Sequence, residues 1–275
     1  MQTFIDYFEV LAPWQKLFWI VICLSIAFLF ESIRPLFTNG FRSWAHTRTN
    51  LVFLSLLVLI NVLVGVITVE LFTWMGVNDW GLLEMVTWPL WVELLASIVV
   101  FDFIAQYCAH FMVHNFKPLW RIHIVHHSDT KVDATTGTRL HPLDFITRET
   151  FAVLAIFIMG APVAFYVLYR IITIAYTYFN HANLRLPFAV DKAISWVFIS
   201  PNTHKFHHHF EEPWTNKNYG NIFSIWDRIF GTFAYGDIND IVYGLDVTDD
   251  TKSDDLGYQI MLPIKNNGRV KVKNT

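Results

Sequence analysis

The sequence predicts an all-α integral membrane protein with about three full transmembrane helices, a helical hairpin and a histidine-rich helical cap. Composition gives the first indication, because 54% of the 275 residues are hydrophobic, only 16% are charged and the mean hydropathy is +0.38. A soluble domain carries about 25% charged residues. The second indication is a series of apolar runs of membrane-spanning length. The third is the placement of the histidines, because eleven of the twelve lie between residues 110 and 209.

Three apolar runs approach the roughly 20 residues that a helix needs to cross a bilayer. These runs are residues 16–33, 50–75 and 89–113. A fourth run covers residues 150–179, but Gly160-Ala161-Pro162 interrupts it. Each half is short for a full span, so this run predicts a hairpin that enters the membrane and returns to the same side.

The loops predict how these helices are oriented. Residues 34–49 and 114–149 carry several arginines and lysines, whereas residues 76–88 carry Asp79 and Glu84 and no basic residue. Cytoplasmic loops are enriched in lysine and arginine. We therefore expect a multi-pass protein whose clustered histidines all lie on the cytoplasmic side of the membrane.

The same features predict how the chain is organised. Residues 1–94 form an N-terminal transmembrane region, and residues 95–245 form a histidine-rich domain that includes the membrane hairpin at 150–180. Residues 246–275 are expected to form a polar C-terminal tail. The formal net charge of −3 gives no reason to expect nucleic-acid binding.

Nine histidines are candidate metal ligands, eight of them at helical spacing and one, His181, alone. They fall in HFMVH, in HIVHH, in FNHANL and in HKFHH, and are His110, His114, His123, His126, His127, His181, His204, His207 and His208. Residues three and four apart on a helix project toward the same side, and neutral imidazole is the commonest metal ligand in proteins. A structural zinc ion takes four ligands, so nine histidines favour two metal ions with open positions.

The motifs resemble those of the fatty acid hydroxylase/sterol desaturase superfamily, whose members are membrane-bound di-iron oxygenases. HFMVH, HIVHH and HKFHH match its three histidine boxes in order, and TRLHPLD and KNYGNIFSIWDRIFGTF look like its flanking signatures. The resemblance implies two irons, O2 as co-substrate, a lipid-like substrate and an external electron donor of the cytochrome b5, ferredoxin or reductase type. The nine histidines are the expected metal ligands and thus the catalytic groups, and no separate acid or base is assigned.

The expected reaction is O2-dependent hydroxylation or desaturation of a C–H bond in a sterol, a fatty acyl chain or a related lipid. Two alternatives stay open on the sequence alone. Imidazole also binds zinc, so a membrane zinc hydrolase is one of them. A membrane protein that binds a metal or a haem without catalysis is the other, although a haem needs only one or two histidines.

Several other polar residues are candidates for supporting roles. Asp102, Asn218 and Asp227 are expected to orient ligands, because a metal-bound imidazole usually donates its second N–H to a carboxylate or carbonyl. A local cap or an ion pair with Arg228 is the alternative for Asp227. Asp102 belongs to a stripe at steps of four that continues through Gln106 to the first histidine box.

Three histidines stand outside the nine. Some members of the superfamily have a histidine pair, HxxxH, where this chain has Thr177 and His181. His141 is therefore a possible substitute ligand or a supporting residue. His209 is interpreted as an additional residue of its cluster, and His46 as a solvated loop residue.

Overall fold

A computed structural model describes residues 2–9, 13–38, 43–211 and 214–265. Within these ranges the regular structure is helical, with two isolated β-bridges and no strand. This confirms the prediction of an all-α protein. Two parts of the predicted organisation, residues 39–42 of the first basic loop and residues 266–275 of the polar tail, lie outside the described residues.

Twelve α-helices are found in the described part of the chain. In order they are α1 Gln2–Glu9, α2 Pro13–Ile33, α3 Trp44–Val77, α4 Leu90–Phe101, α5 Ala109–Asn115, α6 Lys117–His127, α7 Pro142–Met159, α8 Val163–His181, α9 Phe188–Ile194, α10 Pro201–His207, α11 Ile225–Ile229 and α12 Leu256–Lys265. A π-helix, Asp102–Cys108, joins α4 to α5 without a break, and a 3-10 helix, Ala134–Thr138, precedes α7.

Two helical stretches are long and apolar enough to cross a membrane, namely Trp44–Met85 and Leu90–Asn115. The side chain of Ser43 begins the first by accepting a hydrogen bond from the His46 backbone N–H. Its middle exposes large apolar side chains such as Leu63, which is 70% exposed, as expected for a surface that faces lipid. The third span, at α2, stays a prediction.

The α7–α8 hairpin reaches as deep into the bundle as the two long helices. With 18 residues, α7 is about 27 Å long at 1.5 Å per residue. Its turn packs against the loop after α3, where the Trp80 indole N–H donates to the Phe157 carbonyl at 2.9 Å. Gly160, at φ 62°, leaves no room for a side chain, because a Cβ there would lie 2.1 Å from the Trp80 carbonyl oxygen. Both outer ends of the hairpin therefore lie at the opposite end of the bundle.

That opposite end holds the cap. The cap includes part of the predicted polar tail, because α12 packs against α6. Ser128 donates to Gln259 at 2.8 Å, and the Arg121 guanidinium donates to the Pro263 carbonyl at 2.8 Å. Gln259 and Leu262 are buried, so the tail region contributes to the packing around the second histidine box.

The prediction that His46 is a solvated loop residue is wrong. Because α3 begins at Trp44, before the apolar run, its polar first turn packs against the loop that follows α6. The His46 side chain is fully buried, with Nε2 2.9 Å from Asp129 Oδ2 and Nδ1 3.5 Å from Asp133 Oδ2. The residue ties the first long helix to the cap.

Candidate metal centre

The nine histidines predicted as ligands lie together in two buried groups. Within each group the possible ligand atoms all lie within 4.8 Å of one another. The first group contains His110, His114, His123, His127 and His207, and the second contains His126, His181, His204 and His208. Each of the nine imidazoles is 9% exposed or less.

Helix periodicity explains how two motifs serve both groups. On α6, His123 and His127 are one turn apart and enter the first group, whereas His126 turns toward the second. The arrangement is reversed at α10, where His204 and His208 enter the second group and His207 the first. Both HxxHH motifs therefore lie between the two groups and divide their side chains two to one.

Many ring nitrogens face one another at short range. In the first group the Nε2 atom of His127 lies 3.1 Å from that of His114 and 3.2 Å from that of His123. In the second group the Nε2 atoms of His126, His204 and His208 lie 3.2, 2.9 and 3.2 Å from that of His181. Ligands bonded to one ion at about 2.0–2.1 Å lie roughly 2.9–3.4 Å apart, from right-angle to tetrahedral geometry. The spacing of the nitrogens thus fits a shared ion in each group.

Hydrogen bonds at the other ring nitrogen fix several tautomers. The Nδ1 atoms of His110, His181 and His207 donate to the backbone carbonyls of Tyr219, Thr177 and Lys217 at 2.9, 2.7 and 2.7 Å. A carbonyl only accepts, so the proton is on Nδ1 and the Nε2 lone pair is free to bind a metal. The buried Nε2 atoms of His110 and His207 have no hydrogen-bond partner among the described residues. A buried ring nitrogen with a free lone pair and no hydrogen-bond partner is the arrangement expected of a metal ligand.

Asp144 orients His123. Its Oδ2 accepts from His123 Nδ1 at 2.8 Å, while its Oδ1 accepts from Arg148 Nε at 3.2 Å. A carboxylate in this position fixes the ring and raises the basicity of the ligand nitrogen. Asp144 is not among the residues predicted from the sequence, although it belongs to the HPLD motif that begins at His141.

One loop supports three ligands of the first group. Asn216 Oδ1 lies 3.4 Å from His114 Nδ1, and the Lys217 and Tyr219 carbonyls accept from His207 and His110. Asn218 stabilises this loop with a left-handed φ of 55° and with Nδ2–H donated to the Thr203 and Ala234 carbonyls.

Asp227 supports the same loop from the other side. Its carboxylate accepts from the backbone N–H groups of Tyr219 and Gly220 at 2.7 and 2.9 Å, and from the Thr232 hydroxyl at 2.7 Å. These bonds differ from the predicted contact with an imidazole and from the alternatives of a local cap or an ion pair with Arg228. Asp227 acts on His110 through the Tyr219 backbone.

Asp102 does not contact an imidazole. It accepts from the backbone N–H groups of Ile222 and Phe223, each at 3.2 Å, and from the Trp226 indole N–H at 3.0 Å. The π-helix that begins at Asp102 explains the difference, because its wider turn changes the register that steps of four assume for an α-helix.

His141 and His209 lie outside both groups. His141 caps α7, where its Nδ1 accepts from the Leu143 backbone N–H at 3.2 Å. His209 Nδ1 accepts from the Val242 backbone N–H at 3.0 Å. Neither arrangement places a ring nitrogen within a group. Thr177, where some members of the superfamily have the first histidine of an HxxxH pair, accepts a hydrogen bond from His181 through its backbone carbonyl.

Burial keeps the cap histidines neutral. Desolvation, followed by the charges of neighbouring imidazoles, holds the pKa of His126, His127, His204 and His208 well below the usual value. Burial also lowers the pKa of His123, against the opposing effect of Asp144. A metal binds the neutral ring, so at neutral pH these side chains are already in the form that can hold an ion.

The sequence profile of one family, described as fatty acid hydroxylase, matches residues 94–232. The chain belongs to this family. The matched region covers half of the chain and contains all nine clustered histidines. It confirms the resemblance that the histidine boxes indicated.

Curated relatives include several lipid-modifying enzymes. The chain is 27% identical over 146 residues to ornithine lipid hydroxylase OlsE of Rhizobium tropici, covering 53% of this chain and 43% of that protein. It is 26% identical over 177 residues to alkylglycerol monooxygenase of Caenorhabditis elegans, covering 63% and 33%. It is 26% identical over 149 residues to lathosterol oxidase of Mus musculus, covering 53% and 47%. Less than half of each relative is thus matched, and no solved structure matches the chain.

Proposed function

We propose that this protein oxidises a C–H bond of a lipid-like substrate with O2 at two irons held by the nine histidines. In hydroxylation, one oxygen atom of O2 enters the C–H bond and the other leaves as water, with two electrons and two protons supplied from outside. Desaturation removes two hydrogens from neighbouring carbons and reduces O2 to two molecules of water with the same two external electrons and protons. The observation that carries the proposal is the division of nine buried imidazoles into groups of five and four.

The donor set suits two redox-active ions better than zinc. A structural zinc ion is four-coordinate and closed, whereas the first group offers five imidazoles. An octahedral ion has about six positions, so the two groups would leave about one and two positions open. Irons held in this way would activate O2 for oxidation of the C–H bond, with two of the four electrons that O2 takes up coming from the external donor and two from the substrate.

Neighbouring residues would hold the histidine ligands in position. Four of the five imidazoles of the first group are held by Asp144 or by the loop at 216–219, which limits how far these rings can turn. The exception is His127, whose Nδ1 has no hydrogen-bond partner among the described residues. The second group is held less completely, because His126, His204 and His208 have Nδ1 atoms without a hydrogen-bond partner among the described residues. We infer that the imidazoles of the second group would be freer to turn than those of the first.

An apolar groove on the helix that carries His181 supports a lipid substrate. It lies between α2 and α8 and is lined by Cys23, Ile26, Ala27, Phe30, Ala175, Phe179, Ala182 and Leu184. Ala182 directly follows the ligand candidate His181 in the chain. Its volume of about 130 Å³ is below the roughly 300–1,000 Å³ of a typical ligand pocket, so it would take only part of a hydrocarbon chain, and the three lipid-modifying relatives agree with this class of substrate.

The remaining parts of the proposal concern partners and location. The protein would be a multi-pass membrane enzyme with its histidine groups on the cytoplasmic side, as the basic loops predict. Electrons would come from a separate cytochrome b5-, ferredoxin- or reductase-type protein.

Labelling with 18O2 tests the reaction. Cells that express the protein are grown under 18O2, and their own electron donors support the reaction. Their lipids are then extracted and compared with those of cells without the gene. We expect a lipid that carries one 18O atom, or one that has lost two hydrogens, and we expect its loss in His126→Ala. His209→Ala is the matched control, because His209 lies outside both groups. An unchanged lipid profile together with tightly bound zinc would overturn the proposal in favour of a hydrolase.

A further inference from the structure

One surface of the cap, outside the metal centre, exposes several large apolar side chains. It is formed by α9, the turn after it and α11, and we call it the α9–α11 face. Its apolar members, 46% to 65% exposed, are Phe188, Trp196, Val197, Ile225, Ile229 and Phe230. Contiguous apolar patches of this kind mark interaction sites, and the metal centre makes no use of them.

The α9–α11 face packs against the flank of a long helix. The Phe103 ring centroid lies 4.8 Å from that of Trp226 and 5.7 Å from that of Phe230. Tyr107 stacks on Phe230 at 5.3 Å. Both Phe103 and Tyr107 belong to the stretch Leu90–Asn115, so α11 is attached to the flank of a candidate span.

Helix length places this attachment inside the hydrocarbon boundary. The stretch Leu90–Asn115 has 26 residues and is thus about 39 Å long, roughly 9 Å more than the hydrocarbon core of a bilayer. If the whole extra length of about 9 Å extends out of the hydrocarbon core at the Asn115 end, the hydrocarbon boundary lies about six residues before Asn115. Phe103 then still lies about six residues, or about 9 Å, inside the hydrocarbon, and any other assignment places it deeper.

Two cations are arranged around the apolar side chains. The Arg228 guanidinium lies 4.6 Å from the Trp196 ring and 3.8 Å from the Phe233 ring, and it donates to the Ser195 carbonyl. Lys192 Nζ lies 5.3 Å from the Phe188 ring. Long cationic side chains that cover aromatic rings while their charged ends reach water are typical of membrane interfaces.

We propose that the α9–α11 face is inserted into the interfacial layer of the bilayer, with Lys192 and Arg228 next to anionic lipid head groups. The cap would then be partly embedded rather than wholly cytosolic. Because α11 is joined to the loop that supports the first histidine group, insertion would hold the metal centre at a constant depth. The inference depends on the fold alone and not on the proposed reaction.

Spin-label accessibility tests this depth directly. Single cysteines replace Val197 or Ile229 in the full chain in which Cys23→Ala and Cys108→Ala remove the native thiols. The labelled protein is placed in vesicles of phosphatidylcholine and phosphatidylglycerol, and collisions with O2 and with a water-soluble nickel chelate are measured. Leu63→Cys is the lipid-exposed control and Lys252→Cys the aqueous control.

We expect both labels to show the high O2 and low nickel accessibility of the Leu63 control. Equal access of both reagents, as at Lys252, would overturn the proposal, and low access of both would show that a second copy covers the face. The double variant Lys192→Gln/Arg228→Gln, made in the chain labelled at Ile229→Cys, provides a separate test of the two cationic side chains. It should lower the depth measured at Ile229 in vesicles with phosphatidylglycerol and leave it unchanged in pure phosphatidylcholine, and an equal effect in both would refute the role of anionic head groups.

Discussion

Replacing Asp144 with asparagine should weaken metal binding without unfolding the protein. The Asp144 carboxylate is fully buried and accepts from His123 Nδ1 at 2.8 Å. Asparagine keeps the shape and one acceptor oxygen but removes the charge. The hydrogen bond to His123 survives in a neutral form, and the ligand nitrogen loses basicity.

The size of the effect follows from the difference between two kinds of hydrogen bond. A bond to a charged group contributes about 1.5–3 kcal/mol and a neutral one about 0.5–1.5 kcal/mol. The loss is therefore about 1–1.5 kcal/mol, which is roughly a 5- to 15-fold weaker affinity of the first group. The change lies at the lower end of the 10- to 100-fold effects typical for partners of metal ligands.

The assay is a competition between the purified protein and a chelator of known affinity, with thermal unfolding measured on the same samples. Asp227→Asn is a useful comparison, because Asp227 holds the supporting loop and contacts no imidazole. We expect Asp144→Asn to change metal retention more than unfolding temperature, and Asp227→Asn to do the reverse. Full metal affinity in Asp144→Asn would refute the reasoning that this carboxylate tunes a ligand.

Three further predictions concern the fold around the centre. Asp102→Asn should destabilise the protein by about 1–3 kcal/mol, because one of three buried donors loses its acceptor; denaturant unfolding would measure this, and unchanged stability would contradict it. His46→Ala should cost about 3–5 kcal/mol by leaving the Asp129 carboxylate buried without its partner, yet folded molecules should retain their metal, as metal analysis after size-exclusion chromatography can check. Asp79→Cys should react with an impermeant maleimide on intact cells and Lys117→Cys only after permeabilisation; the opposite labelling pattern would reverse the orientation.

The sequence predicts the candidate site better than it predicts the surroundings. The nine histidines could be selected because imidazoles at helical spacing on separate segments have few explanations besides a metal. The sequence does not predict how the histidines divide into two groups. Two histidines that are three residues apart on one helix can bind the same ion or two neighbouring ions. That division depends on how α6 and α10 pack against each other.

The supporting residues show where local pattern fails. Asp144 reaches His123 only because α7 docks against α6, which is a long-range contact that the sequence spacing does not encode. Steps of four predict that Asp102 orients a ligand, but the π-helix turns it toward the 222–226 segment. The neighbouring Arg42 and Arg48 predict a solvated loop at His46, whereas the helix begins at Trp44 with a polar turn.

The central claim is that each histidine group holds one iron, and the metal content of the purified protein tests it most directly. The chain is expressed in iron-replete medium and analysed by mass spectrometry of metals, with His110→Ala for the first group, His126→Ala for the second and His209→Ala as the control. We expect about two irons per chain in the parent and in the control, and about one in each ligand variant, because the groups use separate ligands. A parent protein that holds a single zinc and no iron, or ligand variants that keep both irons, would contradict the claim.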